Sequence, residues 1–268
     1  FDGLVLEGLH KSINIFDNFK IIALIHHPLY LEYKGKKSDF FFKRAIKIYN
    51  KINYFIVTSH NTKKLLSEKF KIKSSKISIV EPGIEKFKKY KKIPSKKIKL
   101  LTCGSIIERK KYDYLINEIK NIDNIQLNIV GDVSRESKYT NKIKKIISNN
   151  NIKNKVILHG KISQVKLENL YSNCDFYIST SEYEGFGMSL ANAALSKLPI
   201  ISYKTSTIQK TIGKSGVLYF DSYNKDTLKK LINDNCFDNK KYKILKKNIK
   251  NKKYLTNDQS AKLFIKAI

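Results

Sequence analysis

The feature that most constrains this chain is an alternation. Nine short runs rich in Ile, Val, Leu, Phe and Tyr recur along it, separated by stretches long enough for a helix. The runs fall at residues 21–25, 54–58, 77–80, 99–103, 126–130, 155–158, 176–179, 199–202 and 217–219. Between them helices are expected at 38–51, 61–70, 112–119, 140–149, 166–173, 188–196 and 226–235, with two more toward the C-terminus. A strand that pairs in parallel with the next needs a crossover of about a dozen residues, usually a helix, so this rhythm specifies an α/β chain with parallel sheets. Several runs are almost wholly apolar, as strands covered on both faces are. Ser59 follows one such run and is placed to cap the next helix, its hydroxyl accepting an otherwise orphan amide. The opening Phe1-Asp2-Gly3-Leu4 reads as strand-like.

Residues 86–97 break the rhythm: they lack an apolar period, are crowded with lysine, and follow the turn Glu81-Pro82-Gly83. They read as a linker. The chain is therefore divided into residues 1–92, a Rossmann-like domain ending in the linker, and 93–268, a second Rossmann-like domain with C-terminal helices. Six runs follow the linker, enough for a complete doubly wound sheet. Only three or four precede it and the chain does not begin with Met, so the first domain is expected to be incomplete.

The charge is large, with 53 Lys and Arg against 23 Asp and Glu and a net charge of +30, but only Arg44, Arg109 and Arg135 are arginines. The lysines spread over nearly every segment, whereas nucleic-acid recognition recruits arginine and a localised patch, so nucleic acid is not the expected partner. An anionic lipid surface or a phosphorylated ligand suits a uniformly basic chain better. No apolar run approaches the roughly 20 residues that span a bilayer. The opening residues lack the basic start and apolar stretch of a secretory leader. Cys103, Cys174 and Cys236 are odd in number, far apart and without metal-ligand spacing, which fits buried thiols in a reducing compartment.

Two strand-to-helix turns carry the chemistry. In the segment from Ser179 to Ala194, an apolar run enters the short acidic loop Glu182-Tyr183-Glu184-Gly185-Phe186-Gly187, which opens a helix at Met188. Glu184 then stands past a strand's carboxyl end, and the amides of residues 185–188 face outward at a helix N-terminus. Such amides and the helix dipole favour an anion, the dipole contributing roughly 0.3–1 kcal/mol, while a neighbouring carboxylate suits hydroxyl donors such as those of a sugar. A capped structural turn accounts for the same residues equally well. The second turn, Cys103-Gly104-Ser105, is the first of the downstream domain, where doubly wound folds commonly meet phosphate. Gly104 gives backbone room, and Arg109 with Lys110 offers two cations for a diphosphate, although a solvated helix start would carry basic residues too.

These segments, together with Leu127-Asn128-Ile129-Val130-Gly131, Val156-Ile157-Leu158-His159-Gly160 and Val80-Glu81-Pro82-Gly83-Ile84, occur in an order that resembles the family 4 retaining glycosyltransferases of GT-B fold along essentially the whole chain. The resemblance implies an α/β protein of GT-B type, with two Rossmann-like doubly wound parallel-sheet domains, the N-terminal one incomplete. It implies a nucleoside diphosphate sugar as donor, a saccharide or lipid-linked acceptor, retention of anomeric configuration, and a role in cell-envelope glycan synthesis. By position, Glu184 opens the family's E-x7-E motif and would hold the donor sugar, with the amides of Gly185, Phe186, Gly187 and Met188 on the distal phosphate. The second Glu, which addresses the ribose, falls on Asn192, and a Gly at that helix's exit falls on Lys197. Gly104, Ser105, Arg109 and Lys110 match the diphosphate-binding turn. His26 or His27, at the end of the run 21–25, matches a His facing the sugar, and His26 follows the run directly. Ser59 and Thr62 fit a Thr-Ser-x-x-Thr stretch read mainly as a helix cap. The family's Gly-rich acceptor-side loop has no counterpart in these residues. No cofactor and no metal are expected, because the basic pair and the amides would meet the phosphate charge.

The implied setting is cytoplasmic, peripheral at the inner face of an anionic membrane. The departures at Asn192 and Lys197 keep open a catalytically silent nucleotide-sugar-binding subunit, and the charge a polybasic adaptor.

Overall fold

The structure is a computed structural model that describes residues 1–8, 14, 18–249 and 252–268. The chain forms two compact units, one made of Phe1–Glu85, Tyr183–Gly187 and Tyr254–Ile268, the other of Lys86–Glu182 and Met188–Lys253.

In the first unit, strands β1 (Ile22–Ile25), β2 (Tyr54–Val57) and β3 (Ile77–Ile79) pair in parallel in the order β1-β2-β3. Helices α1 (Gly3–Gly8), α2 (Gly35–Tyr49) and α3 (His60–Lys69) accompany them, and the late helix α11 (Asn257–Ala267) belongs to this unit as well. The core gathers Leu6, Ile25, Ile48, Phe55, Val57 and Leu66, all essentially sealed from solvent. Ser59 does cap α3, its hydroxyl accepting from the Thr62 amide at 3.1 Å. The opening is not a strand, contrary to the sequence expectation: Asp2 forms one isolated bridge to Leu24, and a helix begins at Gly3. Burying Leu6 against β1 decides this short segment, where Gly and Val give little intrinsic helix preference.

The second unit is built on β4 (Ile98–Cys103), β5 (Ile125–Val130), β6 (Val156–Gly160), β7 (Phe176–Ser179), β8 (Ile200–Tyr203) and β9 (Val217–Phe220). They form one parallel sheet in the order β6-β5-β4-β7-β8-β9. Its helices are α4 (Tyr112–Ile119), α5 (Ser137–Asn149), α6 (Gln164–Asn173), α7 (Met188–Leu195), α8 (Ser206–Ile212), α9 (Thr227–Cys236) and α10 (Asn239–Asn248). Side chains alternate along each strand. Leu100, Phe176, Ile178 and Ile201 accordingly enter one core, and Leu101, Tyr177 and Ile200 another, so both faces are covered. Helix α8 is absent from the sequence expectation. Its β-branched residues disfavour a helix locally, but Ile208 and Ile212 bury on one side while the Thr205 hydroxyl caps the start.

Residues 86–97 hold no regular element, yet they are anchored along the second unit. The Phe87 ring meets Tyr171 with centroids 4.9 Å apart, the Tyr90 amide donates to Ser172 Oγ, and Lys92 pairs with Asp175 at 2.5 Å. Among the described residues no helix is long and apolar enough to cross a membrane.

Candidate functional site

The strand order of the second sheet locates its ligand crevice. Counting from β4, the order is 3-2-1-4-5-6, so connectivity reverses between the adjacent strands β4 and β7. In open parallel sheets ligands bind beyond the carboxyl ends of the strands at this switch point. The turn after β4 is Gly104-Ser105, and the segment after β7 is Thr180-Ser181-Glu182.

The two are tied together. Thr180 Oγ1 donates to the Lys110 carbonyl at 2.7 Å, the Glu182 amide donates to the Arg109 carbonyl at 3.0 Å, and Lys111 Nζ pairs with Glu182 Oε1 at 3.2 Å. Arg109 lies on a 3-10 turn spanning Glu108–Lys110 and is only 8% exposed. An arginine buried to that degree, on a chain of lysines, is not a solvated helix start. Lys110 stands over Gly104, for a Cβ built on that glycine would lie 3.0 Å from its Nζ. Beneath, the Gly104 amide donates to the Val130 carbonyl and the Gly104 carbonyl accepts from Tyr112 Oη. Gly131 has φ 153°, and a Cβ there would stand 2.0 Å from the Gly104 carbonyl oxygen, so no other residue lets the two turns approach this closely.

Several neighbours complete this floor. Burial pushes the Cys103 thiol up to about 12, which leaves it a packing group rather than a nucleophile. Tyr223 donates to the Thr180 carbonyl at 2.9 Å while Lys111 sits 5.9 Å from its ring centroid. At the end of β6, His159 Nε2 lies 2.9 Å from Asn128 Oδ1, and burial lowers its pKa.

Helix α7 starts at Met188, half-exposed and part of the second unit. One turn on, Asn192 is half-buried, with its Oδ1 sealed from solvent and without a hydrogen-bond partner among the described residues. At the helix exit Lys197 adopts φ 57°, a left-handed conformation natural to glycine, and its Nζ donates to the Ile249 carbonyl at 2.5 Å.

The other expected site residues group in the first unit. His26 is exposed just beyond β1, with Nε2 3.4 Å from Asp2, and its carbonyl accepts from Thr58 and Thr62 hydroxyls. That same carbonyl crowds Gly185: a Cβ there would meet it at 2.3 Å. His27 is oriented differently, its Nε2 bonded at 2.9 Å to the buried Glu32 and its ring 5.8 Å from that of Tyr183. Phe186 is buried, Glu184 half-buried, and Gly187 turns the backbone at φ 92° into α7. Thus Gly104, Arg109 and Lys110 come together with the segment after β7 in the second unit. The loop of Glu184, Gly185 and Phe186 comes together with His26 and His27 in the first.

Comparison with known proteins fits this geometry. The family model described as "Glycosyl transferases group 1" matches residues 83–252. The chain belongs to that family. A GtfA subunit of Streptococcus agalactiae named as a UDP-N-acetylglucosamine--peptide N-acetylglucosaminyltransferase is 29% identical over 202 residues, covering 74% of this chain and 36% of the relative. The chain thus spans about a third of the length of the curated relatives it matches first. Anabaena HepE, solved with UDP and glucose, superposes with a TM-score of 0.77 at 14% identity, over 96% of this chain and 75% of that one. The pneumococcal O-GlcNAc transferase GtfA, solved with UDP and GlcNAc, gives 0.61 at 19%, over 95% and 53%. These likenesses establish a GT-B fold for this group 1 protein.

Sequence reasoning did not single out Gly131, Thr180, Lys111 or Tyr223 as parts of the site. Gly131 could have been found, since a glycine directly after a buried strand signals close backbone approach. Thr180 and Tyr223 carry no such mark, because only pairing of β4 with β7 brings them to the first turn.

Proposed function

We propose that this protein is the nucleotide-sugar-binding part of a retaining glycosyltransferase that moves a hexosyl group from a nucleoside diphosphate sugar to a saccharide or lipid-linked acceptor in cell-envelope glycan synthesis. The single observation that carries the reading is the clamped turn at the switch point, where Arg109 is buried and Lys110 stands over Gly104. Uridine is the proposed base, supported by the UDP in the names of the similar GtfA subunits and in the complexes of the fold neighbours.

Arg109, Lys110 and the amides of residues 185–188 would meet the charge that builds on the departing diphosphate. Groups held in place before reaction stabilise that developing charge more than the ground state, and this difference is what accelerates transfer. Glu184, with His26 or His27, would hold hydroxyls of the transferred sugar. Departure and attack on one face of the sugar would let the leaving phosphate accept the acceptor's proton. We propose further that no metal is required, because the basic pair supplies the positive charge, and that the protein works in the cytoplasm at an anionic membrane face.

Transfer is tested by following UDP release and acceptor labelling from UDP-hexoses in the presence and absence of EDTA. Turnover that survives EDTA and falls in Glu184→Ala supports the mechanism, and turnover unchanged in Glu184→Ala removes the site assignment. One observation favours a second reading: Asn192 presents a sealed, unpartnered Oδ1 where the family carries a ribose-binding Glu. A silent subunit would bind UDP and release none from UDP-sugars.

A further inference from the structure

At the other end of the second sheet lies a cavity of about 210 Å³. It opens at the amino ends of β7 and β8, where Cys174 and Leu198 lie just ahead of the strands and, with Tyr171, are buried in its floor. Gly104 and Thr180 sit at the carboxyl ends, so at about 3.3 Å per residue the four-residue β7 separates the two places by roughly 13 Å. Phe87, Tyr90 and Tyr242 give aromatic walls, and Lys88, Lys89, Lys92, Lys197 and Lys246 line the rest.

The charge there is unbalanced. Lys92 and Lys246 both bring Nζ to 3.5 Å from the Tyr242 hydroxyl, but only Lys92 has a carboxylate, Asp175. Among the described residues no carboxylate lies within ion-pair distance of Lys88, Lys89, Lys197 or Lys246. Like charges crowded without counter-ions repel one another, and an apolar floor with aromatic walls leaves surface for a ring or hydrocarbon to cover. Segment 86–97, which supplies three of the lysines and two of the rings, is fastened to α6 through Ser172 and Asn173, so these groups are held in place.

We propose that this cavity is a second ligand site, distinct from the switch point, that takes a phosphate monoester or diphosphate carried on an apolar or aromatic group. The phosphate meets the lysine rim and the apolar part lies on Tyr90, Tyr242 and Phe87. The source is either an anionic lipid headgroup or a soluble phosphorylated metabolite, and the inference is independent of the glycosyltransferase reading.

The test compares Lys89→Glu/Lys246→Glu with a control of equal charge change at two exposed lysines elsewhere, Lys153→Glu/Lys214→Glu. Titration with 1-naphthyl phosphate, run with saturating UDP, should show binding weakened about tenfold or more in the first variant and less than about threefold in the control. Tyr242→Ala should weaken 1-naphthyl phosphate more than inorganic pyrophosphate. In a second arm, co-sedimentation with phosphatidylglycerol-containing vesicles that is lost only in the first variant assigns the site to a lipid headgroup. Sedimentation alike in both variants, with loss of 1-naphthyl phosphate confined to the first, assigns it to a soluble ligand. Equal losses in both variants in both arms, or no binding of either probe by the wild-type chain, would overturn the proposal, because the lysines would then act only as diffuse charge.

Discussion

The two strand-to-helix turns that carry the candidate chemistry are held in different ways. The turn after β4 is fixed wholly inside its own unit: Gly131 packs under Gly104, Tyr112 and Val130 bond it from below, and Thr180 and Glu182 clamp the basic turn beside it. The turn after β7 leaves its unit after Glu182, and residues 183–187 pack instead with the end of β1, against the His26 carbonyl and the His27 ring. The candidate cations Arg109 and Lys110 thus depend on one sheet, while the loop bearing Glu184 takes its shape from another. Substitutions should separate the two.

The largest effect is expected at the first turn. Gly131→Ala places a Cβ 2.0 Å from a backbone oxygen at a φ of 153°, and relieving it means moving the β4 turn. We expect destabilisation of about 3 kcal/mol, read as a lower thermal midpoint, together with loss of nucleotide binding. Arg109→Ala and Lys110→Ala come next, each lowering kcat by about 10²–10³-fold if the pair meets charge on the leaving diphosphate. A rise in KM with kcat unchanged would assign them to uniform binding of the donor instead. Gly185→Ala sharpens the contrast, since its clash is with the His26 carbonyl. Turnover should fall by more than UDP affinity does, and equal losses of both would mean that the two turns are not separable.

Smaller effects follow. His159 has a pKa lowered by burial, so the unfolded chain binds its proton more readily than the folded one. The stability it contributes is complete above the unfolded value of about 6.5 and is lost as pH falls through the lower folded value. In His159→Gln the loss of thermal midpoint between pH 7 and 5 should shrink, and an unchanged pH profile would discard His159 as the titrating group. The smallest change belongs to Lys197→Gly, where relief of a left-handed backbone, about 1 kcal/mol, is offset by the lost bond to Ile249. The net shift should stay within about 0.5 kcal/mol, and a loss above about 1 kcal/mol would show that the ammonium, not the backbone, governs that position.

How far the sequence discloses all this depends on range. Strands such as Phe176–Ser179 stand out because burial on both faces demands unbroken apolar runs, and the helix Tyr112–Ile119 because its apolar residues recur on one face. Helices α1 and α8 do not stand out: Val5, Thr207 and Ile208 are poor local helix formers, and packing decides against them. At the site, Gly104, Arg109 and Lys110 are legible as a turn with two cations, but the burial of Arg109 is not, since it follows from Glu182 and Thr180 some 70 residues on. The return of residues 183–187 and of α11 to the first unit is equally hidden. An amphipathic helix such as Asn257–Ala267 shows that it needs a core, and nothing in its period says which.

The most direct measurement is a thermal-shift series with UDP, GDP, ADP and their hexose conjugates on the wild-type chain and on Arg109→Ala/Lys110→Ala. A ligand that binds only the folded state must raise its midpoint. The account predicts a selective upward shift with UDP and UDP-sugars that disappears in the double variant. No shift with any nucleotide at millimolar concentration, or a UDP shift that the double variant keeps in full, would contradict it.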